Sequence, residues 1–136
     1  MANVLIVEDD ASDLRKATSA LAELGLGPVD PVSTVGKALS YLDEVVEGKR
    51  SKPGLILLDL ALGYESGFEI LRRWRSDRKL SGIQIVVWTQ MGEREQEICR
   101  LFGLKHVVSK WAGTPEMQDA VKAAIQSPSS PSSAAK

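Results

Sequence analysis

Cysteine, histidine and aromatic residues are scarce in this chain, and no run of apolar residues is long. A single cysteine, Cys99, stands among 136 residues, which excludes a disulfide framework and any zinc site built on several thiolates. The one histidine, His106, has no partner at metal-ligand spacing. Nothing approaches the roughly 20 apolar residues that span a bilayer. The opening MANVLIVEDD reaches its acids too soon for a secretory signal. Neither charge is in excess: 17 Lys+Arg against 18 Asp+Glu leave a formal charge of −1, which argues against general nucleic-acid binding. No glycine-rich loop follows the first apolar run, so a nucleotide-binding domain is disfavoured. A cytoplasmic protein is expected, with no direct nucleic-acid partner and no membrane partner.

What is present points to a single α/β domain. The apolar fraction of 43% and charged fraction of 26% are those of an ordinary globular chain, long enough to bury about two-thirds of its unfolded surface. Val4-Leu5-Ile6-Val7 and Leu55-Ile56-Leu57-Leu58 read as strands buried on both faces. Ile83 to Trp88 reads as another, ending at Thr89, and Val107-Val108 as a short one ending near Lys110. Pro28 and Pro31 flank Val29 and Asp30 and remove ladder donors, so that strand belongs at an edge. Helices are predicted between the strands. Asp10 or Ser12 caps the first, Ser33 or Thr34 the second, and the third runs from about Gly67 to Ser76. Glu93 to Phe102 is closed by Gly103, and Thr114-Pro115-Glu116 opens the last, with Pro at the first helical position. Leu60 to Ser66 reads as a loop. Residues 127–136, with five Ser and two Pro, read as a disordered tail or linker after a domain over 1–126. Alternating strands and helices with one proline-weakened edge fit a doubly wound, five-stranded parallel sheet of flavodoxin-like order 2-1-3-4-5.

In such a sheet ligands bind at the carboxyl ends of the strands. Glu8, Asp9 and Asp10 follow the first strand, Asp59 the third, Thr89 the fourth and Lys110 the fifth. Carboxylates sharing one pocket repel unless a cation joins them, and oxygen ligands with a vacant face suit Mg²⁺. A carboxylate can attack a phosphoryl group to give an acyl phosphate. A cation, an ammonium and a hydroxyl then offset the charge on the phosphoryl oxygens. Singly, each residue has a plainer reading: a solvated turn and helix cap for Glu8-Asp9-Asp10, a turn former for Asp59, strand propensity for Thr89 and a surface charge for Lys110. Their conjunction at four strand ends carries the reading.

The segments VLIVEDD, LILLDL, VVWT and VVSK together resemble the receiver domain of two-component response regulators, the CheY-like family, over about residues 2 to 126. The resemblance implies that Asp59 is the phosphoacceptor, Thr89 the hydroxyl switch residue and Lys110 the partner of the phosphoryl group. It implies that Glu8, Asp9 and Asp59, with the main-chain carbonyl of Ala61, hold Mg²⁺. It implies a histidine kinase or histidine phosphotransfer protein as the donor, and no enzyme activity beyond the chain's own phosphotransfer and dephosphorylation. Asp10 is read as a helix cap.

The sequence also departs from the family. Gln90 stands where a small residue is usual, and Val107 where the family places an aromatic switch residue. Trp111 follows the lysine where the family has a cis-prolyl bond; a non-prolyl cis bond costs ~3 kcal/mol, so a different loop is expected. Gly63 stands where Pro is common. These changes motivate an alternative, a degenerate receiver acting as a phosphorylation-independent interaction module. An aspartyl phosphatase is disfavoured, because Ala61 occupies the position of its second acid. The basic cluster Arg72, Arg73, Arg75, Arg78 and Lys79 reads as a solvated helix end rather than a docking patch. Cys99 and Trp88 read as core, and Trp111 as the one aromatic suited to an interface.

Overall fold

In the computed structural model, the described residues are 3–62, 65–90 and 93–126. The main sheet is parallel and contains β1 (Val4–Val7), β2 (Val29–Val32), β3 (Leu55–Leu58), β6 (Gln84–Thr89) and β7 (Val107–Ser109), in the order β2-β1-β3-β6-β7. The expected topology holds: numbered among themselves, these strands run 2-1-3-4-5. A small antiparallel ribbon of β4 (Ala61–Leu62) and β5 (Glu65–Ser66) forms where the sequence reads as loop. Strands this short carry too little alternation to be separated from a turn.

Burial explains the order. Every residue of β1, β3 and β6 is buried, whereas β2 and β7 are only partly covered and lie at the edges. Pro31 in β2 is harmless there, because an outer edge needs no ladder donor. Side chains alternate between two layers. On one face Val4, Ile6, Leu55, Leu57, Val86 and Trp88 pack against helices α1 (Ala11–Glu23) and α5 (Thr114–Gln126) through Leu21, Met117 and Val121. On the other, Leu5, Val7, Ile56, Leu58, Ile85 and Val87 meet α2 (Val35–Val46), α3 (Phe68–Ser76) and α4 (Glu93–Leu101). Trp74 and Cys99 belong to that second layer.

Helix ends follow the predicted chemistry closely. The Asp10 side chain accepts from the Ser12 and Asp13 amides, and Thr34 Oγ1 accepts from Lys37 N at 3.0 Å. Helix α5 includes Thr114, so Pro115 takes its second position rather than its first. The cost is nil, since no first-turn N–H has an intrahelical partner. Four of the five side chains of the basic cluster meet partners within the chain. Arg72 donates to Glu69 and Arg73 to Asp43, Arg75 lies 5.9 Å from the Phe102 ring centre, and Lys79 donates to Val46 O at 3.4 Å. Gly63 and the tail 127–136 lie outside the described residues. Among the described residues, no helix is long and apolar enough to cross a membrane.

Candidate phosphoryl-accepting site

Register brings the strand ends together. Val7 lies beside Leu58, Leu58 beside Val87, and Val87 beside Val107. The next residue after Val7 is Glu8 and after Leu58 is Asp59. Thr89 is two residues past Val87, and Lys110 three past Val107. Residues up to 102 positions apart in sequence therefore open into one pocket.

Asp59 is its centre and is buried. Its Oδ1 accepts the hydroxyl of the fully buried Thr89, and the Ala61 amide at 3.0 Å. Its Oδ2 accepts from Lys110 Nζ at 3.1 Å. Lys110 Nζ also donates to Glu8 Oε1 at 2.8 Å and to Asp13 Oδ2 at 2.7 Å, with its side chain only 7% exposed. It stands 5.2 Å from the centre of the Trp88 ring, so Trp88 is core and also a wall of the pocket. Thr89 Oγ1 further accepts from Leu60 N at 3.3 Å, tying the loop after Asp59 to the end of β6.

Glycine closes this loop. Gly67 N donates to Leu60 O at 3.0 Å, and a Cβ at position 67 would stand 2.8 Å from Leu60 Cα and 2.9 Å from Asp59 O. Only a residue without a side chain lets the chain return this closely past Asp59.

The pocket is short of positive charge. Ligand oxygens of Glu8, Asp9 and Asp59 lie within 4.8 Å of one another, Glu8 and Asp59 buried and Asp9 exposed at the rim. Asp13 adds a further carboxylate against the single ammonium of Lys110. Burial pushes the Glu8 carboxyl up to about 7, more than its hydrogen bond from Lys110 pulls it down, and the neighbouring Asp59 raises it further. Burial works against the charge on Lys110, but its hydrogen bonds to Asp13 and Glu8 and the charges of Asp59 and Glu8 outweigh it. The lysine is held above its usual range. Hard oxygen donors, one of them open to solvent, fit a divalent cation such as Mg²⁺.

The family profile of the response regulator receiver domain matches residues 4–122. The chain belongs to that family. Protein PilH of Pseudomonas aeruginosa is 28% identical over 103 residues, 76% of this chain and 77% of PilH. The KDP operon transcriptional regulatory protein KdpE of Escherichia coli is 31% identical over 127 residues, 93% of this chain but 52% of KdpE. This receiver thus spans about half the length of KdpE. Among solved structures it resembles the phosphorylated cyanobacterial phytochrome response regulator RcpA, with 26% identity, a TM-score of 0.79, and 96% and 98% of the two chains covered. The bacteriophytochrome response regulator RtBRR is 28% identical with a TM-score of 0.77, covering 90% of this chain and 76% of that one. Receiver domains hold Mg²⁺ in an acidic pocket, and here Glu8, Asp9 and Asp59 form one. Receiver domains also interact with histidine kinases or phosphotransfer proteins.

Glu8, Asp9, Asp59, Thr89 and Lys110, the side chains expected to form the site, all stand in or at this pocket. Ala61 lies just past it, exposed, with its amide turned to Asp59. The departures from the family map around it. Gln90 is exposed, and Val107 packs partly buried against the core. Lys110, Trp111 and Ala112 form a 3₁₀ turn in which Trp111 N donates to Ser109 Oγ at 3.1 Å. The only cis peptide bond among the described residues is Gly27–Pro28, so the Lys110–Trp111 bond is trans, as its cost requires. Asp13 was not singled out in the sequence. Its one legible signal is its place three residues after the cap Asp10, in the helix turn nearest the strand ends. Its partner, 97 positions away, is set by how α1 lies on the sheet.

Proposed function

We propose that this receiver accepts a phosphoryl group on Asp59 from a histidine kinase or histidine phosphotransfer protein, and signals through the resulting change in charge and conformation. One observation carries the reading: the buried Asp59 carboxylate takes the Thr89 hydroxyl on one oxygen and the Lys110 ammonium on the other, beside Glu8 and Asp9. Asp59 is the nucleophile. Thr89 donates a hydrogen bond toward the place the phosphoryl oxygens will occupy, and Lys110 offsets their charge. Glu8, Asp9, Asp59 and the Ala61 carbonyl would hold Mg²⁺, which when bound supplies further positive charge to those oxygens. The added phosphoryl charge biases a two-state element, and ~1–3 kcal/mol of such coupling changes partner affinity 5–150-fold. No external substrate is turned over, because Ala61 supplies no second acid. The reaction is assigned to the cytoplasm. RcpA, similar along nearly its whole length, is itself described as phosphorylated, which supports the reading.

The test is incubation with acetyl phosphate and Mg²⁺ followed by intact mass. A gain of one phosphoryl group is expected, lost in Asp59→Asn; no gain from either acetyl phosphate or a cognate kinase refutes the assignment. A second reading, an interaction module independent of phosphorylation, is favoured by one feature. Trp111 is 76% exposed in the turn after Lys110, and exposed tryptophans commonly anchor interfaces. Partner binding equal in the wild type and Asp59→Asn would select that reading.

A further inference from the structure

Lys110 has three ammonium hydrogens and three carboxylate partners, at 2.7 Å (Asp13), 2.8 Å (Glu8) and 3.1 Å (Asp59). Two of these partners have other duties under the function proposed above. Asp59 is the reacting carboxylate, and Glu8 belongs to the cluster suited to a cation. Asp13 has neither role. It sits in the first turn of α1, its side chain 19% exposed, and gives the shortest of the three contacts. A lysine stem is flexible and its ammonium is a point charge, so its aim depends on what holds it.

We propose that Asp13 is a positioning residue for phosphoryl transfer: it anchors Lys110 from α1, so that the ammonium stays directed at Asp59 when Glu8 and Asp59 are engaged elsewhere. The inference rests on the reading of Asp59 as phosphoacceptor. In the step concerned, one Asp59 carboxylate oxygen bonds to phosphorus while the bond from phosphorus to the donor atom breaks, a ring nitrogen for a phosphohistidine and an oxygen for acetyl phosphate. The donor leaves with that electron pair, as acetate when acetyl phosphate is used. Lys110 keeps its proton throughout. Asp13 touches no reacting atom and acts through Lys110 alone.

The experiment compares wild type, Asp13→Ala, Asp13→Asn, Lys110→Met and the Asp13→Ala/Lys110→Met double variant. Rates of labelling by acetyl phosphate with Mg²⁺ are followed by intact mass, and Mg²⁺ affinity by calorimetry. Asp13→Ala is expected to slow labelling about tenfold, in line with the cost of a misaimed group. Asp13→Asn keeps an acceptor oxygen and recovers most of that loss. Mg²⁺ affinity does not fall, and Asp13→Ala has no further effect once Lys110 is Met. An unchanged rate in Asp13→Ala overturns the inference. So does an equal loss in the Lys110→Met background, or a fall in Mg²⁺ affinity that tracks the rate. A wild type that labels with no donor removes the phosphoacceptor reading and this inference together, whereas a wild type that labels normally beside an unaffected Asp13→Ala removes only the inference.

Discussion

Glu8 makes the stability of the metal-free protein depend on pH in a direction opposite to most carboxylates. Burial raises its pKa from the ordinary 4.5 to about 7. The folded state therefore holds a proton between those values that the unfolded chain releases. Where the native state binds more protons, stability falls as pH rises, so the Glu8 contribution is whole below pH 4.5 and is lost through the window up to about 7. At ~1.4 kcal/mol per unit the full effect is about 3 kcal/mol, and a comparison of pH 5 with pH 8 captures about 2–3 kcal/mol of it. His106 acts the other way. Burial and the neighbouring Lys105 lower its pKa, so its share of stability grows as pH rises toward 6.5. The Glu8 share is isolated by subtracting Glu8→Gln, which keeps the side-chain shape and cannot titrate. Urea denaturation in chelator at constant ionic strength, read by the fluorescence of buried Trp74 and Trp88, gives the midpoints. Wild type is expected to lose about 2–3 kcal/mol relative to Glu8→Gln between pH 5 and pH 8. Excess Mg²⁺, which binds the deprotonated carboxylate, is expected to remove the difference. A Glu8→Gln protein with the same pH slope as wild type would refute the reasoning.

Two further substitutions test the frame around the pocket. Gly67→Ala puts a methyl against Leu60 Cα and Asp59 O; a loss of about 1–3 kcal/mol is expected by thermal denaturation, together with slower acetyl-phosphate labelling, and an unchanged melting temperature contradicts it. Trp74→Phe removes the Nε1 donor that meets Ile83 O at 3.1 Å; the orphaned buried carbonyl is expected to cost about 1–3 kcal/mol in urea denaturation, and a loss under about half a kcal/mol shows that the bond adds little.

The sheet order was readable because it rests on burial, and burial leaves a local trace. Leu55-Ile56-Leu57-Leu58 has no polar face and must be covered on both sides, whereas Pro28 and Pro31 confine their strand to a rim. The site acids, hydroxyl and lysine were readable because each lies within three residues of a strand end, and a parallel sheet gathers such ends on one side. Tertiary structure alone decided how these groups share their protons. The preference of Lys110 for Asp13 and Glu8 over Asp59, the raised pKa of Glu8 and the approach of Gly67 to Asp59 all depend on ångström-scale placement of α1 and the loops against the sheet. Sequence patterns record which faces avoid water; they hold no measure of the distances over which charge and desolvation act.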